Sequence, residues 1–111
     1  GLVGSEMCIR DREYIEKHYS ENLTLEVLAG EIHMNPYYFS SFFKKNSGEN
    51  FKDYLNKVRM KHAIDLLVST DKKTAEIAAD VGFRDSRSFS ELFSRIYGET
   101  PSNYRKRVKD G

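Results

Sequence analysis

The chain has 111 residues, of which 39% are hydrophobic and 32% are charged, and its formal net charge is +1. This length accommodates one ordinary domain or two very small subdomains that share a helix, and no apolar run approaches the roughly 20 residues of a membrane span. The single cysteine, Cys8, forms neither an internal disulfide nor a cysteine-cluster metal site, which favours a reducing, cytoplasmic compartment.

The small net charge conceals an asymmetry along the chain. Residues 1–32 contain three Arg/Lys and seven Asp/Glu, whereas residues 33–111 contain fifteen Arg/Lys and ten Asp/Glu. The densest basic segment is residues 104–109, whose cations suit either the C-terminal end of a helix or contact with phosphates. Charge alone therefore permits DNA binding without requiring it.

The N-terminal segment, residues 1–12, does not fit the pattern of the rest of the chain. It resembles a translated sequencing adapter, and we interpret it as an artefactual or non-native leader. Fold and function are therefore argued from residues 13–111.

The remaining residues predict an all-α fold of seven helices without strands, beginning with a helix that ends near Tyr19. Thr24 is a suitable N-cap for a short helix that ends near Ile32, and Asn35-Pro36 starts the next helix, which ends at Gly48. These two helices, at about residues 24–47, are typical of a helix-turn-helix unit.

The same organisation returns after a long helix predicted at about residues 51–68. A second pair of helices is predicted at about residues 74–97, and a C-terminal helix at about residues 101–108. We therefore expect two helix-turn-helix subdomains joined by a long linker helix.

The two units are copies of one sequence pattern. From Asn35 onward, residues of the second copy follow those of the first by 50 positions, whereas before the turn the separation is 49. The second copy therefore has one extra turn residue. Identical pairs include Phe39/Phe89, Ser40/Ser90, Phe43/Phe93, Gly48/Gly98, Glu49/Glu99, Tyr54/Tyr104 and Val58/Val108.

The second helix of each unit divides into an apolar face and a small polar face, as a helix that enters a major groove requires. The apolar faces contain Phe39, Phe42, Phe43 and Asn46 in the first unit, and Phe89, Leu92, Phe93 and Ile96 in the second. One such helix is also typical of an ordinary amphipathic element, but two with the same caps and turns favour DNA binding.

The length of the linker helix agrees with this hypothesis. At roughly 1.5 Å per residue it spans about 27 Å. Successive major-groove segments on one face of DNA lie about 34 Å apart. The linker helix together with the widths of the two units that it joins is therefore long enough to place one unit at each segment, although a packed seven-helix domain of another kind could also contain such a helix.

Several segments resemble the signature of the AraC/XylS family of bacterial transcription regulators. They are RMKHAIDLL at residues 59–67, IAADVGF at 77–83, SFSELF at 88–93 and GETPSNYR at 98–105, with residues 35–40 and 43–45 similar to the family's first unit. The resemblance covers about residues 13–108. It implies that two helix-turn-helix units bind adjacent major grooves of double-stranded DNA.

The resemblance also implies the role of the whole protein. Such a domain is the output part of a cytoplasmic regulator, associated with the nucleoid when bound, and RNA polymerase is an expected further partner. Relatives usually carry a separate effector-binding or receiver domain, and nothing in this chain corresponds to one.

Site residues follow from the same resemblance, position by position. Those expected to face bases are Tyr37, Ser40, Ser41 and Lys44 in the first unit, and Ser86, Arg87, Ser90 and Glu91 in the second. Those expected to contact phosphates are Lys45, Ser94, Arg95, Arg105, Lys106 and Arg107. Ser41 and Glu91 stand where many relatives carry a basic residue. Glu91 therefore has three open roles, which are accepting from cytosine N4, pairing with Arg87 and pairing with Arg95.

Two other classes of function are weaker hypotheses. An enzyme is disfavoured because His18, His33 and His62 lack metal-ligand spacing and the chain has neither an HExxH motif nor a Gly-rich phosphate loop, so we expect no metal and no cofactor. A helical protein-interaction module would instead expose its phenylalanines in a partner groove. Burial of those side chains distinguishes the two hypotheses.

Overall fold

The structure, a computed structural model, describes residues 12–110, with Asp110 described by its backbone alone. Within this range it contains seven helices and no strand, which confirms the predicted all-α class. The helices are α1 (residues 12–18), α2 (Leu25–Glu31), α3 (Pro36–Ser47), α4 (Phe51–Ser69), α5 (Thr74–Asp80), α6 (Ser86–Tyr97) and α7 (Pro101–Asp110).

The predicted leader lies outside the described residues except for Arg12, which belongs to α1. Among the described helices, none combines the length and the apolar character needed to cross a membrane.

The chain forms two compact units, and the division falls within α4 between Val58 and Arg59. The core of the first unit contains Ile15, Leu28, Phe39, Phe43 and Leu55, all buried. In the second unit the buried apolar residues are Met60, Ala63, Leu67, Ile77, Ala78, Val81, Phe89 and Phe93. Each unit thus has apolar side chains of its own to bury, contributed by one half of α4 and by a helix-turn-helix pair.

The second helix of each helix-turn-helix pair, α3 in the first unit and α6 in the second, is called its recognition helix below. Both of these helices begin with a side-chain cap. The Asn35 Oδ1 atom accepts from the Tyr37 backbone N–H at 2.9 Å, and Pro36 occupies the first turn, where its missing N–H has no cost. The Asp85 Oδ1 atom accepts from the Ser88 backbone N–H at 2.7 Å. These local hydrogen bonds determine where α3 and α6 start.

Both recognition helices also end in the same way. Gly48 and Gly98 adopt left-handed φ angles of 84° and 76°, and their N–H groups donate to the carbonyls of Lys44 and Ser94. A left-handed residue at this position satisfies a C-terminal carbonyl and reverses the chain. As a result, α3 and α6 are both 12 residues long and place equivalent residues at equivalent positions.

The turns inside the two helix-turn-helix units share a hydrogen-bond pattern but differ in sequence. The Met34 N–H donates to the Ala29 carbonyl at 2.9 Å, and the Phe83 N–H donates to the Ala78 carbonyl at 2.9 Å. The preceding residue has a positive φ in both turns, 104° at Gly82 but 58° at His33. The first turn therefore holds a histidine in a conformation that favours glycine.

The predicted inner faces are wrong at one equivalent position in each unit. Ile96 was expected on the inner face of α6 but is 45% exposed, and Asn46, expected on that of α3, is also exposed. At the end of α6 the ring of Tyr97 instead packs on Phe93 with a centroid distance of 4.6 Å, and Tyr104 of α7 contacts Phe93 at 5.6 Å. Because α7 covers this end of α6 with an aromatic ring, Tyr97 occupies the inner position and Ile96 faces outward.

The two turns generate a prediction about stability. We expect His33→Gly to stabilise the first unit by about 0.5–1 kcal/mol, because glycine removes the left-handed strain at some cost in unfolded-chain entropy. Gly82→Ala should destabilise the second unit by about 1 kcal/mol or more for the converse reason. Urea unfolding followed by circular dichroism measures both changes. If His33→Gly instead lowers the free energy of unfolding, the imidazole makes a contact that stabilises the unit by more than the left-handed conformation costs.

Candidate nucleic-acid interface

The first recognition helix, α3, buries two aromatic rings and exposes its polar face. Phe39 and Phe43 are buried and meet edge to face at 5.8 Å between centroids. The four residues expected to face bases in this unit, Tyr37, Ser40, Ser41 and Lys44, are all exposed. The structure therefore places them on one accessible helix face, opposite the core.

An additional aromatic ring lies at the start of α3. Tyr38 is outside the predicted set of site residues, yet it is 70% exposed, and Tyr37 is 80% exposed. Their rings meet edge to face at 6.0 Å. The sequence feature that indicates Tyr38 as a site residue is its position beside Tyr37 at the start of the helix. Tyrosine rings supply large contact area together with a polar hydroxyl.

The second recognition helix, α6, repeats the arrangement with different chemistry. Phe89 and Phe93 are buried, and their rings pack at 5.9 Å. Of the predicted site residues on this helix, Ser86, Arg87, Glu91 and Arg95 are exposed, while Ser90 and Ser94 are half-buried. The accessible face of α6 is thus mostly charged, whereas that of α3 is mostly aromatic and hydroxylic.

The structure brings Arg87 and Glu91 together. The Arg87 Nε–H donates to Glu91 Oε1 at 3.2 Å, one helical turn away, and both side chains are exposed. An exposed pair at this spacing contributes only a few tenths of a kcal/mol to stability. Of the three roles left open for Glu91, pairing with Arg87 is the one that the structure shows.

The N-terminus of α6 carries a negative charge that α3 lacks. Hydrogen bonds from the backbone and side chain of Ser88 hold the pKa of Asp85 below its usual range, with a smaller contribution from Arg87. The corresponding cap of α3 is the neutral Asn35. A phosphate at the first turn of α6 therefore meets a carboxylate, so we expect phosphates to approach this helix elsewhere.

Cations near the ends of the recognition helices are available for phosphates. Lys44 and Lys45 lie in the last turn of α3, and Arg95 lies in the last turn of α6. All three are exposed. Their position at helix C-termini is also electrostatically favourable without DNA, since cations complement the helix dipole there.

The basic C-terminal segment is largely engaged within the second unit. Arg105 donates through Nε to the Leu67 carbonyl at 2.9 Å and through Nη2 to the Thr70 carbonyl at 3.3 Å. Lys109 Nζ donates to the Thr70 carbonyl at 3.1 Å and to Asp71 Oδ1 at 2.9 Å. The hydrogen bond from Lys109 lowers the pKa of Asp71. Thus α7 supplies cations to the C-terminal end of α4.

This arrangement compensates for a feature of α4 itself. The last turn of α4 contains no basic residue, so the carbonyls at its end have no cation from their own helix. The absence of Lys or Arg in residues 66–69 is the only sequence signal for a long-range partner, and it does not indicate which cation fills the role.

Intramolecular contacts also involve two of the predicted phosphate residues, Arg105 and Arg107. Arg107 donates through Nε to both carboxylate oxygens of Glu99 at 3.1 Å, and this hydrogen bond raises the pKa of Arg107. Arg105 and Arg107 therefore have intramolecular partners, whereas Lys106 is exposed. All six predicted phosphate contacts stay predictions, and Arg105 and Arg107 would exchange an intramolecular partner for a phosphate on binding.

No group of three or more His, Cys, Asp or Glu side chains suited to a metal ion occurs among the described residues. The accessible features of the two units are instead the polar faces of α3 and α6.

The role of Arg105 can be tested by comparing it with its neighbour. Arg105→Ala should lower the free energy of unfolding by about 1–3 kcal/mol, because it leaves two partly buried carbonyls without a charged donor. Lys106→Ala, at an exposed position, should change it by less than about 0.5 kcal/mol. Urea titrations of both variants make the comparison. Equal stability of the two variants, together with weaker DNA binding by Arg105→Ala, would favour a phosphate role for Arg105 instead.

Comparisons with known proteins agree with this arrangement. A family profile described as a helix-turn-helix domain matches residues 28–107. The regulatory protein PocR of Salmonella typhimurium is 38% identical over 97 residues, which are 87% of this chain and 32% of PocR. The chain therefore spans about a third of the length of that relative.

Two solved structures are similar in both fold and sequence. The C-terminal domain of AraT, a response regulator from Geobacillus stearothermophilus, matches with a TM-score of 0.87 and 38% identity, covering 91% of this chain and 84% of that one. The DNA-binding domain of the transcriptional factor AdpA, solved with a target DNA, matches with a TM-score of 0.86 and 26% identity, covering 92% of this chain and 94% of that one. The chain belongs to the AraC/XylS family of bacterial transcription regulators and contains the family's DNA-binding helix-turn-helix domain.

Proposed function

We propose that this chain binds specific sequences of double-stranded DNA by placing α3 and α6 in two adjacent major grooves, as the output domain of a regulator. The observation that carries the proposal is the equivalence of the two helices. Both are 12 residues long, both bury two phenylalanines one turn apart, and both expose the opposite face. Two equivalent helices on one chain can enter two successive major-groove segments of one duplex.

The solved complex of the AdpA domain with DNA supports DNA as the partner of this chain. That complex is a property of AdpA, and the two domains share 26% identity. We extend duplex binding to this chain because its equivalent helix faces are accessible and carry side chains suited to bases. Small hydroxyls such as Ser40 and Ser90 let a helix approach base edges closely, and Arg87 can form two hydrogen bonds with guanine.

Burial disfavours the alternative of a protein-interaction module. Phe39, Phe43, Phe89 and Phe93 would line a partner groove under that hypothesis, yet all four are buried within their own units. What the outer faces expose is mostly polar, so a nucleic acid is the better match. An expected contact with RNA polymerase accompanies DNA binding under this proposal and does not replace it.

The remaining parts of the proposal concern the whole protein. We place the regulator in the bacterial cytoplasm, at the nucleoid when bound, because its partner is chromosomal DNA. The described domain has a regulatory role in this proposal, and neither catalysis nor a cofactor is assigned to it.

Selection from a randomised duplex library is the direct test of bipartite binding. We expect the recovered sequences to share two short elements whose centres lie about 10 base pairs apart, which is one turn of DNA. The 111-residue chain is immobilised and the bound duplexes are sequenced after several rounds. Recovery of a single short element, or of no shared element, would contradict the proposal.

Salt dependence tests the electrostatic part of binding. Each phosphate neutralised by Lys or Arg releases counterions, so the slope of log K against log salt should be about −0.9 per contact. Fluorescence anisotropy of a labelled duplex between low and moderate salt measures this slope. A slope near zero would argue against phosphate contacts by Lys45, Arg95 and Lys106.

Arg87 and Lys45 should behave differently when each is replaced by alanine. Arg87→Ala should cost about 1–3 kcal/mol on the preferred site and weaken the preference at one or two base pairs, because guanine loses a two-bond partner. Lys45→Ala should weaken all sequences nearly equally and reduce the salt slope by about one unit. Repeating the selection with both variants decides the assignment. An unchanged motif for Arg87→Ala with an altered motif for Lys45→Ala would reverse it.

A further inference from the structure

We propose that Glu91 is a specificity-determining residue that acts through Arg87, holding its guanidinium so that the two side chains recognise one G·C base pair as a unit. This inference rests on the proposed function, and it assigns the role of an acidic residue on a surface meant for DNA. A carboxylate on a groove-facing helix repels phosphates and lowers affinity for every sequence.

The geometry of the pair leaves the guanine-binding edge of Arg87 accessible. Glu91 accepts from Nε, at 3.2 Å, and not from the terminal amino groups. Arginine has five N–H donors, of which Nε carries one, so four remain on Nη1 and Nη2. Guanine presents two acceptors, O6 and N7, in the major groove. The ion pair and the guanine contact therefore use different edges of the same guanidinium and are compatible.

The exposure of the Arg87–Glu91 pair indicates that the contact serves to order Arg87 more than to stabilise the folded unit. The Arg87 side chain is 89% exposed and that of Glu91 is 63% exposed, so the pair contributes little to the folded unit. A long exposed arginine otherwise has many rotamers, and ordering it on binding costs conformational entropy. A partner that orders the side chain before binding reduces this cost and restricts the direction of its donors.

The equivalent positions of α3 show that this pair is particular to the second unit. Arg87 and Glu91 are the second and sixth residues of α6, and the same positions of α3 hold Tyr37 and Ser41. These two α3 residues carry no charge and no guanidinium. Under the proposal, only the half-site bound by α6 requires a guanine at this register.

A double-mutant cycle tests the proposal. The probe is the duplex that the wild-type chain selects from a randomised library, with each base pair of the α6 half-site changed in turn. Dissociation constants are measured for wild type, Glu91→Gln, Arg87→Ala and the double variant. Urea unfolding midpoints of the four proteins should agree closely, because both side chains are exposed.

The expected result is a loss of discrimination at one base pair. Arg87→Ala should reduce the preference for G·C there by about 5- to 150-fold, which is the range of a good two-bond contact. Glu91→Gln should reduce it at the same base pair by about twofold, because an exposed pair at this spacing orders Arg87 only weakly before binding. The double variant should discriminate as much as Arg87→Ala alone, because Glu91 acts only through Arg87. Overall affinity of Glu91→Gln for unrelated sequences should rise.

Two results would overturn the proposal. If Glu91→Gln raises affinity for all sequences and leaves the preference intact, Glu91 only repels phosphates. If it alters preference at a different base pair, and still does so in the Arg87→Ala background, Glu91 reads cytosine by itself. A wild-type chain that selects no motif contradicts the proposed function itself, which is a distinguishable outcome.

Glu99→Gln is the matched control. Arg107 and Glu99 form another arginine–glutamate pair through Nε, at 3.1 Å, just beyond the C-terminal end of α6 and outside its predicted base-facing residues. This variant removes the same charge from the chain, so it should change general affinity by a similar electrostatic effect. The preference at the Arg87 base pair should stay unchanged. A loss of preference equal to that of Glu91→Gln would show that net charge, and not position, accounts for the effect.

Transfer of the pair to α3 gives an independent measurement. Tyr37→Arg combined with Ser41→Glu should introduce a guanine preference in the half-site bound by α3. Tyr37→Arg alone should introduce a weaker preference, because its guanidinium lacks the ordering carboxylate. Equal preferences for the single and the paired change would contradict the role assigned to the glutamate.

Discussion

Each recognition helix depends on the burial of two phenylalanines spaced one turn apart, Phe39 and Phe43 in α3 and Phe89 and Phe93 in α6. Units of this size have few large side chains to bury, and each buried phenylalanine contributes about 1.5–3 kcal/mol. This burial fixes the rotation of each helix about its axis. The side chains on the opposite face are thereby presented to a partner, so the core and the interface are two consequences of one constraint.

The two units share this constraint but differ in what surrounds it. In the second unit α7 covers the end of α6 with Tyr104 and supplies Arg105 and Lys109 to the end of α4. A helix terminus exposes carbonyls that need donors, and charged donors form the stronger hydrogen bonds. Much of the basic C-terminal segment therefore serves the fold. A count of positive charges overstates how many are available to phosphates.

Helix α6 carries one exposed ion pair, Arg87–Glu91, whereas Lys44 and Lys45 of α3 are exposed cations. Exposed ion pairs such as Arg87–Glu91 add little to stability, because water screens them and two long side chains lose freedom. Under the proposal for Glu91, the pair orders the guanidinium of Arg87 and leaves its terminal amino groups for a base. Specificity would then be set by the pair and affinity by single lysines.

The sequence by itself determined the helices, their caps and the duplication, because Asn35, Asp85, Gly48 and Gly98 act through hydrogen bonds within a few residues. Helical periodicity also separated an apolar from a polar face on α3 and α6. The choice of base-facing residues came from the family resemblance and stays a prediction until DNA binding is tested. Only the tertiary structure decided that Ile96 is exposed and that Arg105 binds the end of α4, 38 residues away. Periodicity specifies which residues share a face, whereas the neighbour that covers a face, or the carbonyl that captures a cation, depends on how helices distant in sequence pack.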